Sequence, residues 1–185
     1  AHGARRNNRP AGSLGAAAAL SLYPSKNQGA FGDGGAVTTN DDDLSARVRR
    51  LRNYGSERKY VHDTGGRNSR LDPLQAAILR VRLLRLADWN GRRQKIAARY
   101  LEALRDLPDL HLPPLDPANE PVWHLFVVRC AARDALARHL AADGIETLVH
   151  YPLPVYRLAP FAGRRDLIRH RQLPQLRECL VDGFL

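Results

Sequence analysis

Lys26, Lys59 and Lys95 are the only lysines among the 29 basic residues of this 185-residue chain; all the others are arginine. Either residue supplies a cation, but only lysine offers an amine that readily gives up its proton and reacts with a carbonyl. Lys26 stands in LSLYPSKNQGAFGDGGAVTTNDD, between a strand-like run and a glycine-rich loop. A neutral lysine amine condenses with an aldehyde to a Schiff base. Burial or a nearby cation lowers its pKa from about 10.4 and makes that neutral form available. PSKN alone also reads as an ordinary exposed turn, so the chemistry depends on what surrounds it. Ser21 lies five residues earlier on the same run. Asn68 and Arg70 occupy an irregular loop before a capped helix, where donors can meet a phosphate or simply close a turn. His150 and Tyr151, followed by Pro152, end another strand-like run, facing a cleft or packing against a neighbour.

Other chemistries find less support. Gly29, Gly32, Gly34 and Gly35 follow the lysine, so they match neither G-x-x-x-x-G-K-[ST] nor G-x-G-x-x-G. A tight reversal between two strands explains them better. Cys130 and Cys179 have no metal-ligand spacing and read as reduced thiols of a cytoplasmic protein. The net charge of +10 is spread from Arg5 to Arg177. A diffuse excess favours solubility, or attraction of a phosphorylated small molecule, over nucleic-acid binding. No apolar run approaches the roughly 20 residues of a membrane span. GSLGAAAALSLY is too short, and too soon followed by a polar turn, to read as a signal peptide.

The elements that must position these residues alternate along the chain. GAAAALSLYP predicts a buried strand ending at Pro24, and GAVTTN a second strand. Asn40 or Asp41 then caps a helix with an apolar stripe of Leu44, Val48 and Leu51, ended near Gly55. SERKYVHDTGGRNSR reads as a polar loop. Asp72, Pro73 and Gln75 form an N-cap, first-position proline and capping-box pattern opening a long helix, weakened at Asn90-Gly91 and resumed up to Pro108. After the proline-rich LHLPPLDPANEP come a strand (VWHLFVVRC), a helix closed by Gly144 and a strand (IETLVHYP). The order predicts an α/β part over residues 1–88 and a smaller α+β domain over 89–185.

LSLYPSKNQGAFGDGGAVTTNDDDL, LRNYGSERKY, NSRLDPLQAAILRVRL, WNGRRQKIAARY, VWHLFVVR and GIETLVHYPLPVY occur in that order. This series strongly resembles the DegT/DnrJ/StrS family of pyridoxal-phosphate-dependent sugar aminotransferases, from residue 1 to about residue 160. The resemblance implies the C-terminal part of a PLP-dependent transferase large domain followed by the small α+β domain. It implies that Lys26 bonds covalently to pyridoxal 5'-phosphate, that Ser21 touches its phosphate, and that Asn68 reaches the same phosphate in the partner subunit of a homodimer. Tyr23, Tyr54, Arg70, His150 and Tyr151 match positions on the sugar side. Relatives acting as dehydratases replace the lysine with histidine, so lysine implies transamination. The amino group would pass from glutamate or glutamine to a keto sugar, most simply a nucleotide-linked one, in amino-sugar, antibiotic or polysaccharide biosynthesis.

The family segment that normally reads like DAAQ-AHGA is represented here by AHGA alone, without the aspartate that pairs with the pyridine nitrogen. The tail after about residue 160 resembles the family only faintly. The resemblance therefore implies a C-terminal half, with an inactive fragment as one alternative. A basic nucleic-acid-binding or regulatory protein is the alternative of another class, though no recognised DNA-binding module is visible.

Overall fold

The computed structural model describes residues 2–153 and 158–161. The chain divides into two compact units: residues up to Ala98 with Leu115–His124, and Arg99–Pro114 with the residues from Leu125 on.

The first unit opens with β1 (Arg5–Arg6), which pairs antiparallel with both β2 (Arg9–Pro10) and a late strand at Asn119–Glu120. β3 (Ala17–Ser21) and β4 (Gly35–Thr39) form an antiparallel pair in register from Ala17↔Thr39 to Ser21↔Gly35. β3 is not the buried strand its composition suggests. Its residues alternate between exposed and half-exposed, because alanines bring little apolar surface to bury. The loop joining these strands is closed by its own backbone: Leu22 N–H donates to Gly34 O, and Ala30 N–H donates to Leu22 O.

α1 (Asp42–Leu51) is capped by Asp41, whose side chain accepts from Leu44 N–H at 2.9 Å. Asp42 and Asp43 in its first turn favour the positive end of the helix dipole. The expected polar loop beyond it contains a hairpin of β5 (Ser56–Arg58) and β6 (Val61–His62). Charged side chains there hid a short backbone pairing that has no apolar alternation.

α2 (Pro73–Leu83) begins as its cap predicts, with Asp72 Oδ1 accepting from Leu74 N–H. Leu79 joins Leu22 and Ala30 in a small core, with Leu71 packed against it. α3 (Leu86–Leu104) follows. The interruption in the long helix thus falls at Leu84-Arg85, whereas Asn90 and Gly91 lie inside α3. Asn90 is tolerated there because its amide bonds outside the helix, to the His2 carbonyl. The late strand noted above is β7 (Asn119–Glu120).

In the second unit, Tyr100 packs on Phe126 with ring centroids 5.1 Å apart. VWHLFVVRC is not a strand: among the described residues only Arg129 forms a bridge, with His111. IETLVHYP likewise forms no strand among the described residues. Both have the right composition, but a strand also needs a hydrogen-bonded neighbour. α4 (Arg133–Ala142) is closed by Gly144 at φ 76°. Gly144 N–H donates to Ala141 O and Ile145 N–H to Leu140 O, the paired bonds of a Schellman ending. Cys130 is a buried free thiol, and Cys179 lies outside the described residues.

Candidate functional site

Lys26 lies in the turn that follows β3. Its backbone N–H donates to Tyr23 O at 2.9 Å, folding YPSK back on itself. Gly29 lets the turn close, since a Cβ there would collide with the Pro24 carbonyl. The next residues face inward, with Asn27 and Gln28 only 2% and 6% exposed.

Buried amides must find partners, and these fix the loop from three directions. Asn27 Nδ2 donates to Asn90 Oδ1 at 2.9 Å and to Val122 O at 3.0 Å. Gln28 Nε2 donates to Leu79 O at 2.8 Å, tying the loop to α2. Phe31 N–H donates to Gln75 Oε1 at 2.8 Å. Gln75, expected to complete a capping box, thus spends its acceptor on the lysine loop.

Lys26 itself is half-buried, with Nζ 3.4 Å from His124 Nε2. His2 completes this basic group: its Nδ1 accepts from Gln28 N–H at 3.3 Å, and Nε2 is buried with no hydrogen-bond partner. Burial first, and then positive charges that include His124 and Lys26, hold the His2 imidazole below its ordinary pKa. The Ser21 backbone opposes that shift, but Nε2 makes no hydrogen bond of normal geometry, so burial dominates. Ser21 is exposed at the end of β3, its Oγ accepting a 3.5 Å bond from Tyr23 N–H. Tyr23 is exposed beside it.

A second group forms around Asn68. Asn53 and Asn68 are joined by a bridge between the turn after α1 and the loop before α2. Arg70 Nε donates to Asn68 Oδ1 at 3.1 Å, and its Nη1 to Asn53 Oδ1 at 3.4 Å. The same guanidinium lies over the Tyr54 ring, 5.3 Å from its centroid. Asn68, Arg70 and Tyr54 are all exposed, so this face is open to a ligand with phosphate or hydroxyl groups. His150 and Tyr151 belong to the second unit, with rings 4.8 Å apart and both exposed.

Composition and spacing did not single out His124, His2, Asn27 or Asn90. Their signal was present only as isolated polar residues in apolar or turn contexts: Asn27 beside the lysine, His124 within VWHLFVVR, and Asn90 inside a helix. Among the described residues, no group of three or more His, Cys, Asp and Glu residues could hold a metal ion.

Comparisons with known proteins converge. The model of the DegT/DnrJ/EryC1/StrS aminotransferase family matches residues 1–175. The chain is similar to a dTDP-3-amino-3,4,6-trideoxy-alpha-D-glucose transaminase of Streptomyces venezuelae, 56% identical over 163 residues, covering 88% of this chain and 43% of the relative. It is 54% identical over 157 residues to a dTDP-3-amino-3,6-dideoxy-alpha-D-galactopyranose transaminase of Aneurinibacillus thermoaerophilus, covering 85% of this chain and 43% of that protein. Its fold matches that of S. venezuelae DesV, solved in complex with a ketimine intermediate, with a TM-score of 0.91 and 51% identity, covering all of this chain (100%) and 49% of that one. The chain thus spans about half the length of these relatives.

Proposed function

The chain belongs to the DegT/DnrJ/EryC1/StrS aminotransferase family, and from that premise we propose that it carries the lysine-bearing part of a pyridoxal-phosphate-dependent sugar aminotransferase. The proposed substrate is a dTDP-linked 3-keto deoxysugar, with glutamate or glutamine as amino donor. The 3-position is supported by the names of two similar transaminases, both of 3-amino sugars. The observation that carries the reading is Lys26, a half-buried amine in a closed turn, five residues after Ser21.

The residues present fit the cofactor. Lys26 Nζ is the amine that would hold it covalently, and the exposed Ser21 hydroxyl would meet its phosphate. Asn68 would meet the same phosphate from the partner subunit of a homodimer. When bound, pyridoxal phosphate supplies an electron sink for cleavage of a C–H bond next to nitrogen.

The chain's own residues do the rest. Once the amino donor has displaced it from the cofactor, the Lys26 Nζ would serve as the proton carrier of each half-reaction, as general base and then acid. Asn27 and Gln28, bonded to α2, α3 and the Val122 carbonyl, restrict the path of the loop that carries this amine. Arg70, with its guanidinium held over Tyr54, would orient the nucleotide sugar, joined by Tyr23. A net charge of +10 raises the local concentration of a diphosphate substrate.

The test is a half-reaction. The chain is mixed with pyridoxal phosphate and L-glutamate, and 2-oxoglutarate is measured; glutamine is tested in parallel. The proposal expects keto-acid in proportion to protein, lost in Lys26→Ala. Keto-acid formation equal in Lys26→Ala, or none from either donor, would contradict it.

A further inference from the structure

We propose that His124 is the proton partner of Lys26: its Nε2 takes a proton from Nζ to free the amine, and later returns it. Three observations carry this inference. The two nitrogens lie 3.4 Å apart, with part-buried side chains. The bond is open in both directions, since an ammonium donates to an unprotonated Nε2 and a protonated Nε2 donates to a neutral amine.

The backbone holds the two residues together independently of that contact. Asn27, next to Lys26, donates from Nδ2 to the carbonyl of Val122, two residues before His124. Between them, Trp123 adopts φ 47°, left-handed backbone that a bulky residue rarely takes. Such strain persists only where the surroundings enforce it. Here Val122 is buried on one side and His124 meets Lys26 on the other.

The titratable groups meeting at this point are Lys26 from the loop, His124 after Trp123, and His2 from the start of the chain. Crowding three basic groups disfavours their simultaneous protonation, and the histidines, as the weaker bases, are the ones left unprotonated and able to accept a hydrogen bond from Nζ. The step is balanced: an Nζ–H bond breaks, an Nε2–H bond forms, and the Nζ lone pair is left to add to an aldehyde carbon. His124 acts through Lys26 and is a positioning and proton-relay residue for it.

The inference concerns the reactivity of Lys26 in the proposed function, but its test needs no cofactor. The full chain is treated with formaldehyde and borohydride across a pH series, and methylation of each lysine is followed by peptide mass spectrometry. Lys59 and Lys95 are internal controls. At neutral pH, His124→Asn is expected to slow methylation of Lys26 by about tenfold or more, the low end of general acid–base effects, with the controls unchanged. The loss should shrink as pH rises and bulk hydroxide deprotonates the amine. A purely structural role would change the rate at every pH alike, and that result, or an unchanged Lys26 profile, would overturn the proposal.

Imidazole nitrogen NMR of the same chain gives a second reading. Lys26→Met should raise the titration midpoint of His124 by removing an adjacent positive charge; an unmoved midpoint contradicts the pairing. Pyridoxal phosphate is then substituted for formaldehyde. If His124-dependent methylation of Lys26 occurs but pyridoxal phosphate does not label it, the proton relay stands and the cofactor assignment fails.

Discussion

Asn27 is 2% exposed, yet its side-chain nitrogen serves two acceptors, Asn90 Oδ1 and Val122 O. Removing a buried donor strands the groups it satisfied, at about 1–3 kcal/mol. Asn27→Ala is therefore expected to lower unfolding free energy in urea by about 2 kcal/mol. Asn27→Asp should cost more, because it puts a carboxylate against two acceptors. At His2 the expected effect follows pH. Its folded pKa lies below the ordinary 6.5, so the unfolded chain binds the extra proton first as pH falls. Its contribution to stability is complete above about pH 6.5 and declines as pH falls toward the lower folded value. His2→Gln should flatten stability over that window in urea titrations at fixed pH; an unchanged slope would contradict it. Lys26 stood out in the sequence because its residue type is rare in this chain. His124, His2 and Asn27 did not, because their contacts are made across the fold.

At the scale of elements, α2 links the lysine loop to the rest of the first unit through Gln75 Oε1 and Leu79 O. Gln75→Glu keeps an acceptor for Phe31 N–H, whereas Gln75→Ala loses it. The alanine variant is expected to be less stable than the glutamate variant by about 1 kcal/mol in urea, and equal stability would contradict the assigned bond. Helix starts were legible because a cap is local: Asp41 and Asp72 both bond as their positions predict. Gly144 was legible for the same reason at the end of α4. The failures are non-local. VWHLFVVRC has strand composition and bridges only through Arg129, and the β5–β6 hairpin pairs without apolar alternation. Asn90 looked like a helix breaker, but its amide is taken up by His2 and Asn27.

Across the whole molecule, the family resemblance was legible because it rests on ordered motifs along most of the chain, and the match over residues 1–175 bears it out. Positive charge is spread along the chain in the same way. Duplex DNA at physiological salt is accordingly expected to show no binding by fluorescence anisotropy at micromolar protein; tight binding that weakens steeply with salt would favour the nucleic-acid alternative. The central claim concerns one amine. The chain is incubated with pyridoxal phosphate, reduced with borohydride, and its modified lysine mapped by mass spectrometry, with Lys26→Ala as control. The account predicts labelling at Lys26 with Lys59 and Lys95 spared. Equal labelling of all three lysines, or none at Lys26, would contradict it.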